Sequence, residues 1–420
     1  MSSPLPSPSV QQSGLFTPVI LGRIGLCVLI GLAACVLRLE DVHLPPLTSL
    51  VVFGGGVVTA AFLLAWAAEA LQRDVSQGLA MAVLAFIAVL PEYVVDLYFA
   101  WTAGQDPTYA QYAAANMTGA NRMLIGIGWS VVVLVATFCV RRQGGTGIAR
   151  DAVVLNRGHS VDLAVLTMAT LWSLLMPLAG AIAVWHGVGM LLLFVFYLWR
   201  ISGRPEEEPE LSGVAYALGN LPPLRRKMVV ALLLMLSGGV LLCAAKPFAE
   251  SLIGTGAELG IDRFLLVQWL APLASEAPEL LVATIFAGRG HGSAGLSALL
   301  SSKVNQWTLL VGTLPMVYSM SVGRPAALPL DGRQVEELVL TAAQGFLGVA
   351  FLGNGQLQRW EAVALLLLFV VQLPFPETGV RYGISVLYVL LSILMLIRDR
   401  RHIAAHARAA FLQRQGEDIL

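Results

Sequence analysis

The sequence predicts an all-α fold: a polytopic transmembrane helical bundle of two inverted five-helix repeats, with one extra helix at each end and about 12 spans in all. Three observations predict it. The chain has 420 residues, of which 57% are hydrophobic and only 12% charged; so few charges cannot clothe a globule of this length in water. Apolar runs of about 20 residues, the length that crosses a bilayer, recur from end to end. Two Pro-Glu pairs lie inside such runs, one in each half.

These numbers exclude several classes. The mean hydropathy is +0.76, which argues against a soluble enzyme and a disordered chain. The 26 basic and 26 acidic residues cancel, so no excess of positive charge invites nucleic acid. The four cysteines, Cys27, Cys35, Cys139 and Cys243, sit in apolar runs without CxxC spacing and read as small apolar residues.

Residues 1–17 are rich in Ser and Pro and read as a disordered tail. The spans follow at 18–37, 48–71, 76–103, 110–140, 160–179, 181–199, 228–247, 263–288, 294–322, 335–353, 359–374 and 381–397. Residues 48–199 form the first repeat and 228–374 the second; 18–37 and 381–397 are the additions. Residues 200–227, with Glu206 to Glu208, Glu210 and Arg225-Arg226-Lys227, read as a solvated linker, and 398–420 as a basic tail on the inner leaflet. Gly254-Thr255-Gly256 and Gly260 read as a loop, and His186 as a residue of an interfacial turn.

Basic residues gather after even-numbered spans, at Arg73, Arg141-Arg142, Arg200, Arg225 to Lys227, Arg289 and from Arg398 onward. The positive-inside rule then puts both termini in the cytoplasm of an inner or plasma membrane. Five spans per half invert the second half relative to the first, the arrangement of transporters whose site lies at the midplane.

Charges inside spans are costly and mark function. The third span reads Leu90-Pro91-Glu92-Tyr93-Val94-Val95-Asp96, the eighth Ala274-Ser275-Glu276-Ala277-Pro278-Glu279. A mid-helix proline frees the carbonyl four residues earlier, here Ile87 and Ala274. Free carbonyls beside carboxylates make hard oxygen ligands that suit Na+ or Ca2+. Asp96 lies about 40° round the helix from Glu92, and Glu276 about 60° from Glu279, so each helix presents paired acids. The next spans bring Asn116, Asn121 and Arg122, then Lys303, Asn305 and Thr308. Four acids against Arg122 and Lys303 leave an excess of negative charge that one divalent or two monovalent cations would offset.

The Pro-Glu helices, each followed by a small-residue helix carrying asparagine, resemble the alpha repeats of the cation/calcium exchanger superfamily, with the sodium/calcium exchanger branch the nearest. That family pattern is G-T-S-x-P-E followed by G-S-N-x-x-N. The resemblance implies an antiporter fold with no cofactor, and Ca2+, Na+ or H+ as transported substrates. It implies Glu92 and Glu279 as central ligands, with Glu276, Asn121 and Asn305 beside them. Ile87, Ala274, Ser275, Asp96, Asn116, Thr308, Lys303 and Arg122 stand as additional ion-site or coupling residues. The chain departs from the pattern at Ile87-Ala88-Val89, Ala274-Ser275-Glu276, Leu124, Thr308 and Lys303, and G-N-A-x-E is absent. Lys303 is expected to pair with Glu276, its ammonium standing where a Na+ would otherwise sit.

The resulting expectation is a secondary antiporter, monomeric or homodimeric, that exchanges Ca2+ or a related cation for Na+ or H+. An intramembrane enzyme is disfavoured by the lack of H-E-x-x-H and G-x-S-x-G. A channel, an exchanger-fold protein with a structural or regulatory role, and an H+-coupled monovalent cation exchanger are the remaining alternatives.

Overall fold

The structure is a computed structural model that describes residues 17–74, 87, 89–155, 159–202, 211, 213–375 and 377–400. The expected tail before residue 17, the acidic run Glu206–Glu210 and the chain from 401 onward lie outside the described residues. The fold is helical. Among the described residues, nine helices are long and apolar enough to cross a membrane.

α1 (Pro18–Leu39) starts at Thr17, whose hydroxyl accepts from the Ile20 amide, and α2 (Pro46–Leu71) starts at a proline, which fits a first turn. α3 (Leu90–Ala103) leads through a tight turn at Pro107–Tyr109 into α4 (Ala110–Met123). A π-helical turn over Leu124–Trp129 joins α4 to α5 (Ser130–Arg142). The expected span 160–179 breaks at Leu174 into α6 (Ser160–Ser173) and α7 (Leu175–Ala179), because Pro177 has no amide to continue the ladder. α8 (Val184–Ile201) completes the first half.

The expected linker is folded in its last part. α9 (Gly213–Gly219) buries Val214, Ala215 and Leu218 against α1 and α2. α10 (Pro223–Leu259) then runs 37 residues, well past the expected end at 247. The predicted loop at Gly254–Gly260 is therefore helix up to Leu259, with Gly260 closing it at φ 65°. Pro247 costs one backbone bond, but the packing of α10 on α2 holds the helix through it. α11 (Arg263–Gly288), α12 (Gly292–Asn305), a second π-helical turn at Gln306–Leu310, α13 (Val311–Val322), α14 (Gly332–Leu352), α15 (Arg359–Gln372) and the added α16 (Thr378–Arg398) follow.

Two short ribbons display the inverted symmetry. β1 (Ala152–Val154) pairs antiparallel with β4 (Gln356–Gln358), and β2 (Ala181–Ile182) with β3 (Leu328–Pro329). β1 and β3 follow α5 and α13, the helices continued through the π turns; β2 and β4 follow the next helix in each half. A two-fold operation that exchanges the halves thus carries one ribbon onto the other. The π turns themselves sit at matching places, just after Asn121 and Asn305.

The polarity is that of a membrane protein. Leu26 and Leu29 of α1, Leu232 and Leu242 of α10, and Leu390 and Leu394 of α16 are exposed. Glu92, Asp96, Asp162, Arg122, Glu276, Lys303, Glu337 and Arg381 are buried. Lipid accepts the apolar face, and the costly polar groups turn inward.

Candidate functional site

The two Pro-Glu segments differ in local structure. Pro91 stands in the first turn of α3, while residues 76–86 and 88 of the expected span 76–103 lie outside the described residues. Glu92 therefore lies at a helix N-terminus, where unpaired amides favour negative charge. Pro278, in contrast, lies inside a continuous α11 together with Pro272.

Glu92 is 2% exposed, and both of its carboxylate oxygens lack a hydrogen-bond partner among the described residues. It lies within electrostatic reach of Glu276, Asp96, Glu279 and Lys303. Glu276 accepts from Gln306 Nε2 at 2.9 Å, and its second oxygen has no partner among the described residues. Asp96 accepts from Asn116 Nδ2 at 2.9 Å. Glu279 is half-buried and stands with Ser275, Ser302, Asn305, Ile87 and Pro91 on the wall of a cavity of about 340 Å³. Among the described residues no three His, Cys, Asp or Glu side chains converge tightly enough to close round one ion. Carbonyl and amide oxygens are left to complete a shell.

The hydroxyls near the site are committed locally. Ser275 donates to the Ala271 and Pro272 carbonyls, and Thr308 donates to the Val304 carbonyl at 2.6 Å. Ala274 is half-buried on the same helix as Glu276.

Lys303 does not form the expected pair with Glu276. Its ammonium donates to Asn121 Oδ1 at 2.6 Å and to the Asn121 carbonyl at 3.2 Å, and it lies 4.6 Å from the Trp307 ring centre. Glu276 and Glu92 act on it at longer range. The reason is reach: α4 crosses α11 so closely at Gly119 that a methyl there would collide with the Gln268 carbonyl. This crossing brings Asn121 under the lysine tip. Asn121 Nδ2 in turn donates to the Met117 carbonyl at 2.8 Å.

Arg122 leaves the site altogether. It pairs with Glu337 at 2.5 Å, donates to Gln372 Oε1 at 3.2 Å and stacks 4.9 Å from the Trp269 ring centre. Arg381 of α16 contacts Glu337 and lies 3.4 Å from Glu336. This second cluster is balanced in itself. The charge count made from sequence, which set Arg122 against the acids, therefore needs correction: among the described residues Lys303 is the cation that acts on Glu276 and Glu92.

Sequence reasoning missed other groups. Glu69 of α2 lines the same cavity as Glu279 and keeps one buried oxygen unpartnered among the described residues. Its signal was an acid inside an apolar run. Asp162 is fully buried and accepts from Tyr197 at 2.7 Å and from Ser301 at 3.3 Å; both donors line the cavity. His186 is buried, its ring accepting from the Ala183 amide at 3.0 Å, because it folds back over the first turn of α8.

Comparison with known proteins fits this geometry. The family model described as sodium/calcium exchanger protein matches residues 46–203 and 229–376. A crystal structure of the H+/Ca2+ exchanger CAX is 41% identical, with a TM-score of 0.88, over 94% of this chain and 98% of that one. Native YfkE is 14% identical at a TM-score of 0.60, over 87% of this chain and 100% of that one, which shows the fold. The sodium-calcium exchanger NCX_Mj is 18% identical at a TM-score of 0.50, over 83% of this chain and 98% of that one. The sodium/calcium exchanger MaX1 of Methanosarcina acetivorans is 26% identical over 138 residues, which is 33% of this chain; the match spans 37% of that relative's length. With its two matched halves and its inverted helical bundle, the chain belongs to the sodium/calcium exchanger family.

Proposed function

We propose that this chain is a secondary antiporter that moves Ca2+ across a cell membrane in exchange for H+. The observation that carries this reading is the Lys303 ammonium, held 2.6 Å from Asn121 Oδ1 and within electrostatic reach of Glu276 and Glu92. While protonated, the tethered Lys303 places a positive charge beside Glu276 and Glu92. It takes the role a bound Na+ would have, which leaves carboxyl protons as the exchangeable partner.

Glu92, Glu276, Glu279 and Asn305 are the cation ligands in this reading. They offer hard oxygens, and Ca2+ takes six to eight of these, the remainder coming from carbonyls such as those of Ile87 and Ala274. The 41% identity to a protein described as an H+/Ca2+ exchanger supports the same choice. The cavity reaches Gln72 and Ile201, next to Arg73 and Arg200. By the positive-inside rule that end is cytoplasmic, and the Glu279 wall faces the cytoplasm. Alternating access would pass the acids to the opposite side.

Uptake of ⁴⁵Ca2+ into proteoliposomes tests this. A pH gradient should drive uptake, and a Na+ gradient should not. Lys303→Gly should make uptake respond to Na+. Uptake driven by Na+ in the wild type would favour the second reading, Ca2+/Na+ exchange, for which the similarity to MaX1 speaks.

A further inference from the structure

We propose that Asp96, with Asn116 as its hydrogen-bond partner, is a proton-carrying station distinct from the cation ligands and placed on the side of Glu92 remote from the cavity; this rests on proton-coupled exchange. The cavity wall includes Ile87 and Pro91 of the α3 entry and stops short of Glu92 and Asp96. Asp96 lies one turn further along α3, at 0% exposure, and Asn116 is 1% exposed.

The hydrogen bonding carries the assignment. Asn116 Nδ2 donates to Asp96 Oδ1 at 2.9 Å. Asp96 Oδ2 and Asn116 Oδ1 are both buried and both without a partner among the described residues. Two acceptors left over on adjoining groups are a mismatch while Asp96 is ionised. A proton on Oδ2 turns that oxygen into a donor, for which the unpartnered amide oxygen of Asn116 is a complementary acceptor by type. A buried carboxylate with one neutral donor is otherwise costly.

Among the described residues no cation from the surrounding helices pairs with this charge. On α3 itself, Glu92 and Tyr93 are the titratable neighbours, and α11 contributes Glu276. On α4, Arg122 turns to Glu337. Lys303 of α12 bonds Asn121 and acts on Glu276 and Glu92. α13 carries Tyr318 and no charged residue, and on α2 the titratable residue is Glu69, on the cavity wall. On α10, Lys246 and Glu250 lie 3.8 Å apart and Glu258 lies further on; Glu250 accepts from Tyr98, and Asp106 and Tyr109 stand beyond the Ala103 end of α3.

The step is a simple protonation: H+ binds Asp96 Oδ2 on the side to which the cation has been released, and leaves from the same oxygen on the opposite side before the next cation binds. The test uses the full chain in liposomes with two assays. One is ⁴⁵Ca2+ uptake driven by a pH gradient. The other is ⁴⁵Ca2+/⁴⁰Ca2+ exchange at equal pH and equal Ca2+ on both sides, which needs no net proton movement. Asp96→Asn should lower gradient-driven uptake about tenfold or more, roughly 1.4 kcal/mol in activation free energy, and retain isotope exchange; Asp96→Glu should recover uptake. Asn116→Leu removes both the donor that favours the carboxylate and the acceptor offered to the protonated acid, so the pH profile of uptake should differ from that of the wild type. Wild-type uptake and pH profile in Asp96→Asn would overturn the proposal. So would loss of isotope exchange in a monodisperse, folded Asp96→Asn protein, which would make Asp96 a cargo ligand. A wild type that shows no uptake driven by a pH gradient would overturn proton exchange itself, and this station with it.

Discussion

The Lys303 ammonium lies 2.6 Å from the side-chain oxygen of Asn121 and 3.2 Å from its carbonyl, although the two residues are 182 positions apart. One repeat thus supplies the cation and the other its cage. Removing the cage should cost more than a neutral hydrogen bond. Asn121→Ala is expected to destabilise the protein by about 1.5–3 kcal/mol, the range for bonds to charged groups, and to reduce Ca2+ uptake. Thermal unfolding followed by size-exclusion chromatography, beside the uptake assay, measures both. An unchanged melting temperature would show that the ammonium finds another partner.

The close crossing at Gly119 leaves no room for a side chain. Gly119→Ala would drive a methyl into the Gln268 carbonyl, backbone that cannot swing aside. Overpacking of this kind costs about 1–3 kcal/mol or more. Because Asn121 lies on the same turn, uptake should fall together with stability. Gly379→Ala, where a methyl would meet open space, serves as the control and should leave both unchanged.

The second ionic cluster joins the added helix α16 to the repeats. Arg381→Met leaves Glu336 and Glu337 buried with Arg122 as their remaining cation. An uncompensated buried charge costs about 3–5 kcal/mol. Arg381→Met combined with Glu336→Gln restores neutrality and should recover much of that loss. Equal melting temperatures for the single and double variants would contradict this account.

Outside the spans, Asp74 and Arg226 form a two-pronged pair at 2.6 and 2.7 Å. The hydrogen bond from Arg226 holds the Asp74 carboxyl below its ordinary value, and the charges of Arg226 and Lys227 add to this. A lowered folded-state pKa means that the stabilisation is present above the unfolded value and is lost as pH falls through the folded one. The contribution should therefore be full at neutral pH and fade below about pH 4. Asp74→Asn should lower the melting temperature at pH 7 and flatten the acid limb of a melting-temperature profile between about pH 5 and pH 2.

Part of the site was legible in the residues. Acids in apolar runs are rare enough that Glu92, Asp96, Glu276 and Glu279 stand out unaided, and two Pro-Glu runs in oppositely oriented halves point to one shared site. Glu69 sent the same signal without a proline beside it and was missed. Gln306 gave none, since an amide in a helix looks the same whether it braces an acid or faces a neighbouring backbone.

Composition and periodicity alone determined that this chain is a helical bundle in a membrane, because the hydrophobic effect acts on each run of about 20 residues separately. The partners of the buried charges were decided only by the tertiary structure. Arg122 and Lys303 look alike in sequence, each a cation within an amide-bearing helix. The crossing of α4 with α11 sends one to Glu337 and the other to Asn121. Buried ion pairs depend on contacts of a few ångströms between chain segments far apart in sequence, and no local pattern encodes that distance.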